Sequence, residues 1–132
     1  MNHAGLFPFT EEHEMIRQAA RDFAQKEIAP IAAEFDETGD FPSATVAKMG
    51  AMGFMGIEVP EEYGGSAFGD SVYLDSILVL EEFARADDAF ATSFQVHNLI
   101  QDMFLLYGSD EQKKEWLPKL ASGEVMGAFA LT

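Results

Sequence analysis

The chain has 132 residues, 48% of them hydrophobic, with 23 Asp and Glu against 8 Lys and Arg, a formal net charge of −15. A surface that acidic repels nucleic-acid phosphates and anionic lipid headgroups, so no nucleic acid and no membrane is expected as a partner. The chain has no cysteine, which excludes disulfides, thiolate metal sites and thiol nucleophiles together; its length suits one domain with a real core.

The first eight residues, Met1 to Pro8, lack the basic start and apolar centre of a signal peptide. No apolar run approaches the ~20 residues that span a bilayer, and the expectation is a cytoplasmic protein. Thr10 is a good N-cap, with Glu11 and Glu12 in the first turn where the helix dipole favours acids. Ile16, Ala19, Ala20, Phe23 and Ala24 then recur at helical spacing. Pro30 interrupts the pattern, Ile31 and Phe35 resume it, and a kinked helix or two abutting helices end near Thr38-Gly39.

Phe41-Pro42-Ser43 opens a second helix with Val46, Met49 and Met52 on its apolar side. From about 53 to 70 the chain is too glycine-rich for a helix and too long for a simple turn, the kind of loop that often carries function. Asp70 is positioned to cap a third helix, with Leu74, Ile77, Leu78 and Leu80 as its buried stripe and Glu81-Glu82 as its wet side. Asp87-Asp88 starts a fourth. Phe90, Phe94, His97, Gln101 and Phe104 fall at three- or four-residue intervals, and Leu99, Met103 and Leu106 are expected to widen that buried face. Ser109-Asp110-Glu111-Gln112 is a capping box, opening a short fifth helix that Pro118 predicts to end near Leu117.

Val125 to Leu131 is a continuous apolar run behind the turn Ala121-Ser122-Gly123-Glu124, and it reads as a buried strand. No later segment of the chain can pair with it, and a strand needs a neighbour for its backbone groups. The expectation is an all-α, irregular or orthogonal bundle of five to six helices with a C-terminal orphan strand. Such a chain would be the front part of a larger protein, or a subunit that docks onto a partner's sheet.

Few residues suggest chemistry by themselves. His3, His13 and His97 lack ligand spacing on one helix, so no metal site is expected, and His13 reads as a surface residue among acids. The carboxylate pairs Glu11-Glu12, Glu61-Glu62, Glu81-Glu82 and Asp87-Asp88 are neighbours in sequence. On a helix such neighbours point about 100° apart, which suits caps and solvated faces better than an acid–base dyad. Gly64-Gly65 lacks the Lys-Ser/Thr of a phosphate loop, and no nucleophile elbow is present. His97-Asn98 stands out as a polar pair inside an aromatic and aliphatic helix. It is either a core pair bonded to backbone or a polar spot in the wall of an apolar pocket.

Taken in order, the motifs resemble one family. They are Arg21-Asp22-Phe23-Ala24 with Glu27-Ile28-Ala29-Pro30; Phe41-Pro42; Met49-Gly50 with Gly53-Phe54-Met55-Gly56; and Val59-Pro60-Glu61 with Tyr63-Gly64-Gly65. Glu81-Glu82 with Ala84-Arg85, Val96-His97-Asn98, Gly108-Ser109 with Glu111-Gln112-Lys113, Trp116-Leu117-Pro118, Leu120 to Glu124 and Gly127 to Thr132 follow. Over about residues 8 to 132 the sequence closely resembles the N-terminal helical domain of the acyl-CoA dehydrogenases, FAD-dependent flavoenzymes.

The resemblance implies a helical domain over 1–124 and, over 125–132, the first strand of a β domain, with a four-helix bundle beyond it in the family protein. In that family a base takes the α-proton of the acyl thioester as hydride leaves the β-carbon for the flavin. The base lies in the last domain, so no catalytic residue is assigned in this chain. Phe129, Leu131 and Thr132 match the strand that approaches FAD. Phe94, Gln95, His97, Asn98 and Leu99 match the helix beside the acyl chain, although Val96 to Gly108 is about one residue shorter than the commonest family version. An acyl-CoA substrate, an electron-transfer acceptor and homo-oligomerisation are implied for the full protein. The implied function is FAD-dependent α,β-dehydrogenation in fatty acid metabolism, with this domain inactive alone. The alternative is a stand-alone, non-catalytic helical binding module or split-enzyme subunit docking through its C-terminal strand.

Overall fold

Thr10 starts the first helix, α1 (Glu11–Phe23), with a reciprocal capping box. The Thr10 hydroxyl accepts from the His13 N–H at 3.2 Å, and His13 Nδ1 accepts from the Thr10 N–H at 3.0 Å. Histidine here does the work that Glu or Gln usually does at that position. The computed structural model describes residues 9–131. The readings that fall on residues 1–8 and on Thr132 lie outside it.

From α1 the chain passes into a single π turn, Ala24–Ile28, and then into α2 (Ala32–Thr38). The interruption at Ala29-Pro30-Ile31 follows from the missing proline N–H. Gly39, with φ +72°, ends α2 in the left-handed conformation. α3 (Ser43–Ala51) follows. The long loop behind it holds two short 3₁₀ turns, Phe54–Gly56 and Glu61–Tyr63, and an isolated bridge between Pro60 and Ala67. The loop lies close on the end of the last helix: a Cβ at Gly56 would stand 2.8 Å from the Ala121 Cβ.

α4 (Val72–Ala86), α5 (Asp88–Tyr107) and α6 (Asp110–Ala121) complete six α-helices among the described residues. Ser71, one residue later than Asp70, takes the N-cap position of α4. The Asp87 carboxylate accepts the Phe90 N–H at 2.8 Å, and Ser109 and Gln112 form the expected capping box of α6. α6 continues past Leu117 through Pro118 to Ala121. A proline within a helix removes one backbone bond. Burial of Leu117, Leu120 and Ala121 in the same turns outweighs that loss.

α1 packs on α4, and α4 on α5. The core between them is aromatic: Phe23 meets Phe54, Phe54 meets Phe83, and Phe83 meets Phe94, with ring centroids 5.6, 5.5 and 5.3 Å apart and edges toward faces. Such pairs add about 0.5–1.5 kcal/mol each beyond the area they bury.

Burial and the C-terminal segment correct further expectations. Glu82 is buried, not wet, because Arg21 reaches it with two nitrogens at 3.1 and 2.8 Å. Ile77 on α4 and Leu99, Met103 and Leu106 on α5 are exposed, so both buried stripes are narrower than their hydrophobic pattern suggests. The C-terminal strand is not formed: residues 126–131 have no regular structure. A strand is completed by its neighbour, and no neighbouring strand runs beside this segment among the described residues. The mostly helical class stands, and no described helix is long and apolar enough to cross a membrane.

Candidate functional site

The residues expected to line a site converge on α5 and on the segment after α6, but α5 divides them. At 100° per residue, Phe94, His97 and Asn98 point inward and are buried, whereas Gln95 and Leu99 lie on the exposed side. Gln95 and Leu99 present surface to solvent, and Phe94 meets it only as part of the lining of a cleft.

His97 is fully buried and is the centre of a polar cluster. Its Nδ1 accepts the Gly127 N–H at 3.0 Å, and its Nε2 lies 3.0 Å from the Leu120 carbonyl. Both bonds form together only in the neutral ring with the proton on Nε2. Burial is the main cause holding the His97 pKa below its usual value, against the carbonyls of Leu120 and Met55 that raise it. One turn on, Gln101 donates to the Met55 carbonyl at 2.6 Å. The Gln101 amide nitrogen also lies 2.9 Å from His97 Nε2. Both nitrogens carry hydrogen in this tautomer, so that contact is not a hydrogen bond. Of the two readings open for His97, the structure presents a core residue bonded to backbone.

Asn98 has a separate set of partners. Its amide donates to Ser76 Oγ at 3.0 Å and to Glu58 Oε1 at 3.3 Å. Burial raises the Glu58 carboxyl above its usual range, with the Asp102 charge adding to the shift and the Ser76 and Asn98 hydrogen bonds opposing it, and burial raises the Asp102 carboxyl too. Sequence reading missed this pair, since Glu58 sits in the loop and Asp102 lies on α5, where no sequence rule joins them.

Beyond Gly127 the segment leaves the helix surface, and Phe129 and Leu131 are 49% and 82% exposed. A cleft of about 320 Å³ opens beside Met126, lined among others by Phe35, Phe41, Met49, Phe90 and Phe94. A second, larger cleft of about 690 Å³ lies between the start of α1 and the loop before α4. His13 borders it and is buried, not on the surface as its acidic neighbours suggest; its Nε2 lies 3.1 Å from Ser71 Oγ and 3.6 Å from Asp75. This is no catalytic triad, because Ser71 and Asp75 face the same ring nitrogen. Burial raises the Asp75 carboxyl, and His13 opposes that shift. Among the described residues no group of three metal-ligating side chains comes together.

Residues 10–124 match the family described as acyl-CoA dehydrogenase, N-terminal domain. The 3-(aryl)acrylate reductase of Clostridium sporogenes is 46% identical over 125 residues, 94% of this chain and 32% of that protein. The structure of the glutaryl-coenzyme A dehydrogenase glutaryl-CoA complex superposes with a TM-score of 0.86 at 36% identity, over 92% of this chain and 31% of that one. An acyl-CoA dehydrogenase from Bacillus anthracis, complexed with FAD, gives 0.84 at 38% identity, over 94% of this chain and 21% of that one. The chain thus spans about a third of the length of the curated relatives it matches.

Proposed function

The chain belongs to the acyl-CoA dehydrogenase family, through its N-terminal domain, and from that premise we propose that it forms one wall of the acyl and flavin site of an FAD-dependent enzyme. The reaction is α,β-dehydrogenation of an acyl-CoA thioester, and the domain is not catalytic alone. The observation that carries this reading is the family match over residues 10–124. It is supported by the likeness to a protein solved with glutaryl-CoA and to one solved with FAD.

In this reading residues 1–124 are the helical domain and 125–132 begin the next one. Phe129, Leu131 and Thr132 contact FAD. The exposure of Phe129 and Leu131 on a segment without strand partners fits a flat, largely apolar ring system. When bound, FAD supplies the hydride-accepting ring. Gln95 and Leu99 offer the acyl chain its contacts, with Phe94, His97 and Asn98 holding the wall behind them. Phe94 and Leu99 make the apolar part of that wall, which excludes water from the thioester and strengthens the electrostatic interactions around it. The partners are an acyl-CoA and an electron-transfer acceptor, the full protein is a homo-oligomer, and the location is cytoplasmic.

The direction of the reaction is a second question, because the relative 46% identical to this chain is named a reductase. The same wall serves reduction of an α,β-unsaturated acyl group. The test is turnover: the chain alone, and the chain joined to the remaining domains of a family relative, are each given a saturated acyl-CoA with a dye acceptor and an enoyl-CoA with reduced dye. Activity only in the joined protein is expected, with the saturated substrate preferred. Dye reduction by the chain alone contradicts the proposal, and loss of both activities in the joined protein favours a stand-alone binding module.

A further inference from the structure

Three backbone groups from three separate parts of the chain end on two side chains of α5. The Met55 carbonyl comes from the long loop, the Leu120 carbonyl from the last turn of α6, and the Gly127 N–H from the segment beyond it. The Leu120 carbonyl belongs to a helix end, where the last carbonyls lack partners within the helix. Gly127 lies hard against α5: a Cβ there would stand 2.7 Å from the Ile100 Cβ and 3.0 Å from both carbons attached to it. The segment is held against α5 at Gly127, by the Val125 N–H on the Lys119 carbonyl at 3.2 Å and by Met126 on the core, and two residues beyond Gly127 its side chains turn out to solvent.

We infer that His97 is a positioning residue, which fixes through Nδ1 the height at which residues 125–131 sit on α5, and so where Phe129 and Leu131 meet the flavin. The inference rests on the function proposed above. The two ring nitrogens do different work. Nε2–H ties α5 to α6, a link within the helical domain; Nδ1 ties α5 to the segment that leaves it. The donor and acceptor cannot trade places, because the Gly127 N–H needs a lone pair and the Leu120 carbonyl needs a proton. Burial favours the neutral ring, and the two partners together select the tautomer with its proton on Nε2.

This division can be tested with two substitutions that each keep half of the ring. An asparagine carbonyl reaches the place of Nδ1, so His97→Asn retains an acceptor for Gly127 and loses the Leu120 bond. A glutamine amide reaches the place of Nε2, so His97→Gln retains the Leu120 bond and loses Gly127. A residue that merely filled space would respond alike to both.

Nitrogen-15 NMR of the wild-type chain is expected to show His97 Nδ1 unprotonated and Nε2 protonated at neutral pH. The Gly127 amide is expected to exchange with solvent about tenfold faster in His97→Gln than in the wild type, and at close to the wild-type rate in His97→Asn. In protein loaded with FAD, joined to the remaining family domains, the flavin absorption band should shift in His97→Gln and stay near the wild-type position in His97→Asn, although both melt lower. A proton on Nδ1 in the wild type, or Gly127 exchange that is equal in the two variants, overturns the inference. If Gly127 responds as expected but no version binds FAD, the functional reading fails, and with it the flavin half of the inference, while the hydrogen bond to the segment stands.

Discussion

The seam between α1 and α4 and the hub on α5 are both buried, yet one is tied by charge and the other by neutral groups. At the seam Glu82 is 2% exposed and meets Arg21, itself half-exposed, with Arg85 at 3.9 Å alongside. At the hub His97 and Gln101 are wholly buried and carry no charge. The contrast follows from solvation. A carboxylate can be buried where its cationic partner still reaches water and bonds it bidentately. In the interior, neutral donors and acceptors satisfy backbone groups at a modest net gain, but leaving them unpaired is costly. The seam holds the helices together, and the hub sets the position of the segment that the proposed function uses.

The aromatic layer beneath the seam is where a single substitution has the largest expected effect. Phe83 touches Phe23, Phe54 and Phe94, and Phe83→Ala is expected to lower stability by about 3–5 kcal/mol in chemical denaturation. At the hub, His97→Leu removes the donor to Leu120 and the acceptor for Gly127 while keeping an apolar side chain. A loss of about 1–3 kcal/mol is expected, with faster amide exchange around residue 127.

Smaller, pH-dependent effects distinguish the charged groups. The hydrogen bond from Arg21 is the main cause holding the Glu82 carboxyl below its usual range. That stability is complete above the unfolded value of about 4.3 and is lost as pH falls through the lower folded value. Arg21→Ala should therefore lower the melting temperature at pH 7, by less than Phe83→Ala, with the gap closing in acid. Glu58 runs the other way. Burial raises its carboxyl, so stability is lost as pH rises from about 4.3 through the raised value. Glu58→Gln should melt higher than the wild type at pH 7, with the difference vanishing near pH 4. Least affected is the exposed face of α5: Leu106→Gln should change stability by no more than about 0.5 kcal/mol.

Much of this was legible in the sequence because it is local. The caps at Thr10, Asp87 and Ser109 are set within three residues, and the Phe90, Phe94, His97, Gln101 stripe by helical spacing. What escaped depends on distant partners. Glu82 reads as a wet residue because Arg21 lies 61 positions away, and His13 as exposed because Ser71 lies 58 away. Leu99, Met103 and Leu106 carry the right hydrophobicity, but no element of the described chain covers them. The apolar run after α6 carries a strand's composition without the neighbour that would make it one. At the candidate site, sequence reading put His97 and Gln101 on one face of α5 and singled out Asn98, but it did not find Glu58 or Asp102 beside Asn98, because the long loop is brought there only by packing.

On the function proposed above, these residues shape a flavin and acyl-CoA site that they do not complete alone. A calorimetric titration of the chain with FAD and with an acyl-CoA, repeated after joining it to the remaining domains of a family relative, tests this most directly. The expectation is weak or no binding by the chain and tight binding of both ligands by the joined protein. Tight binding by the 132 residues alone would contradict it and mark the chain as a ligand-binding module in its own right.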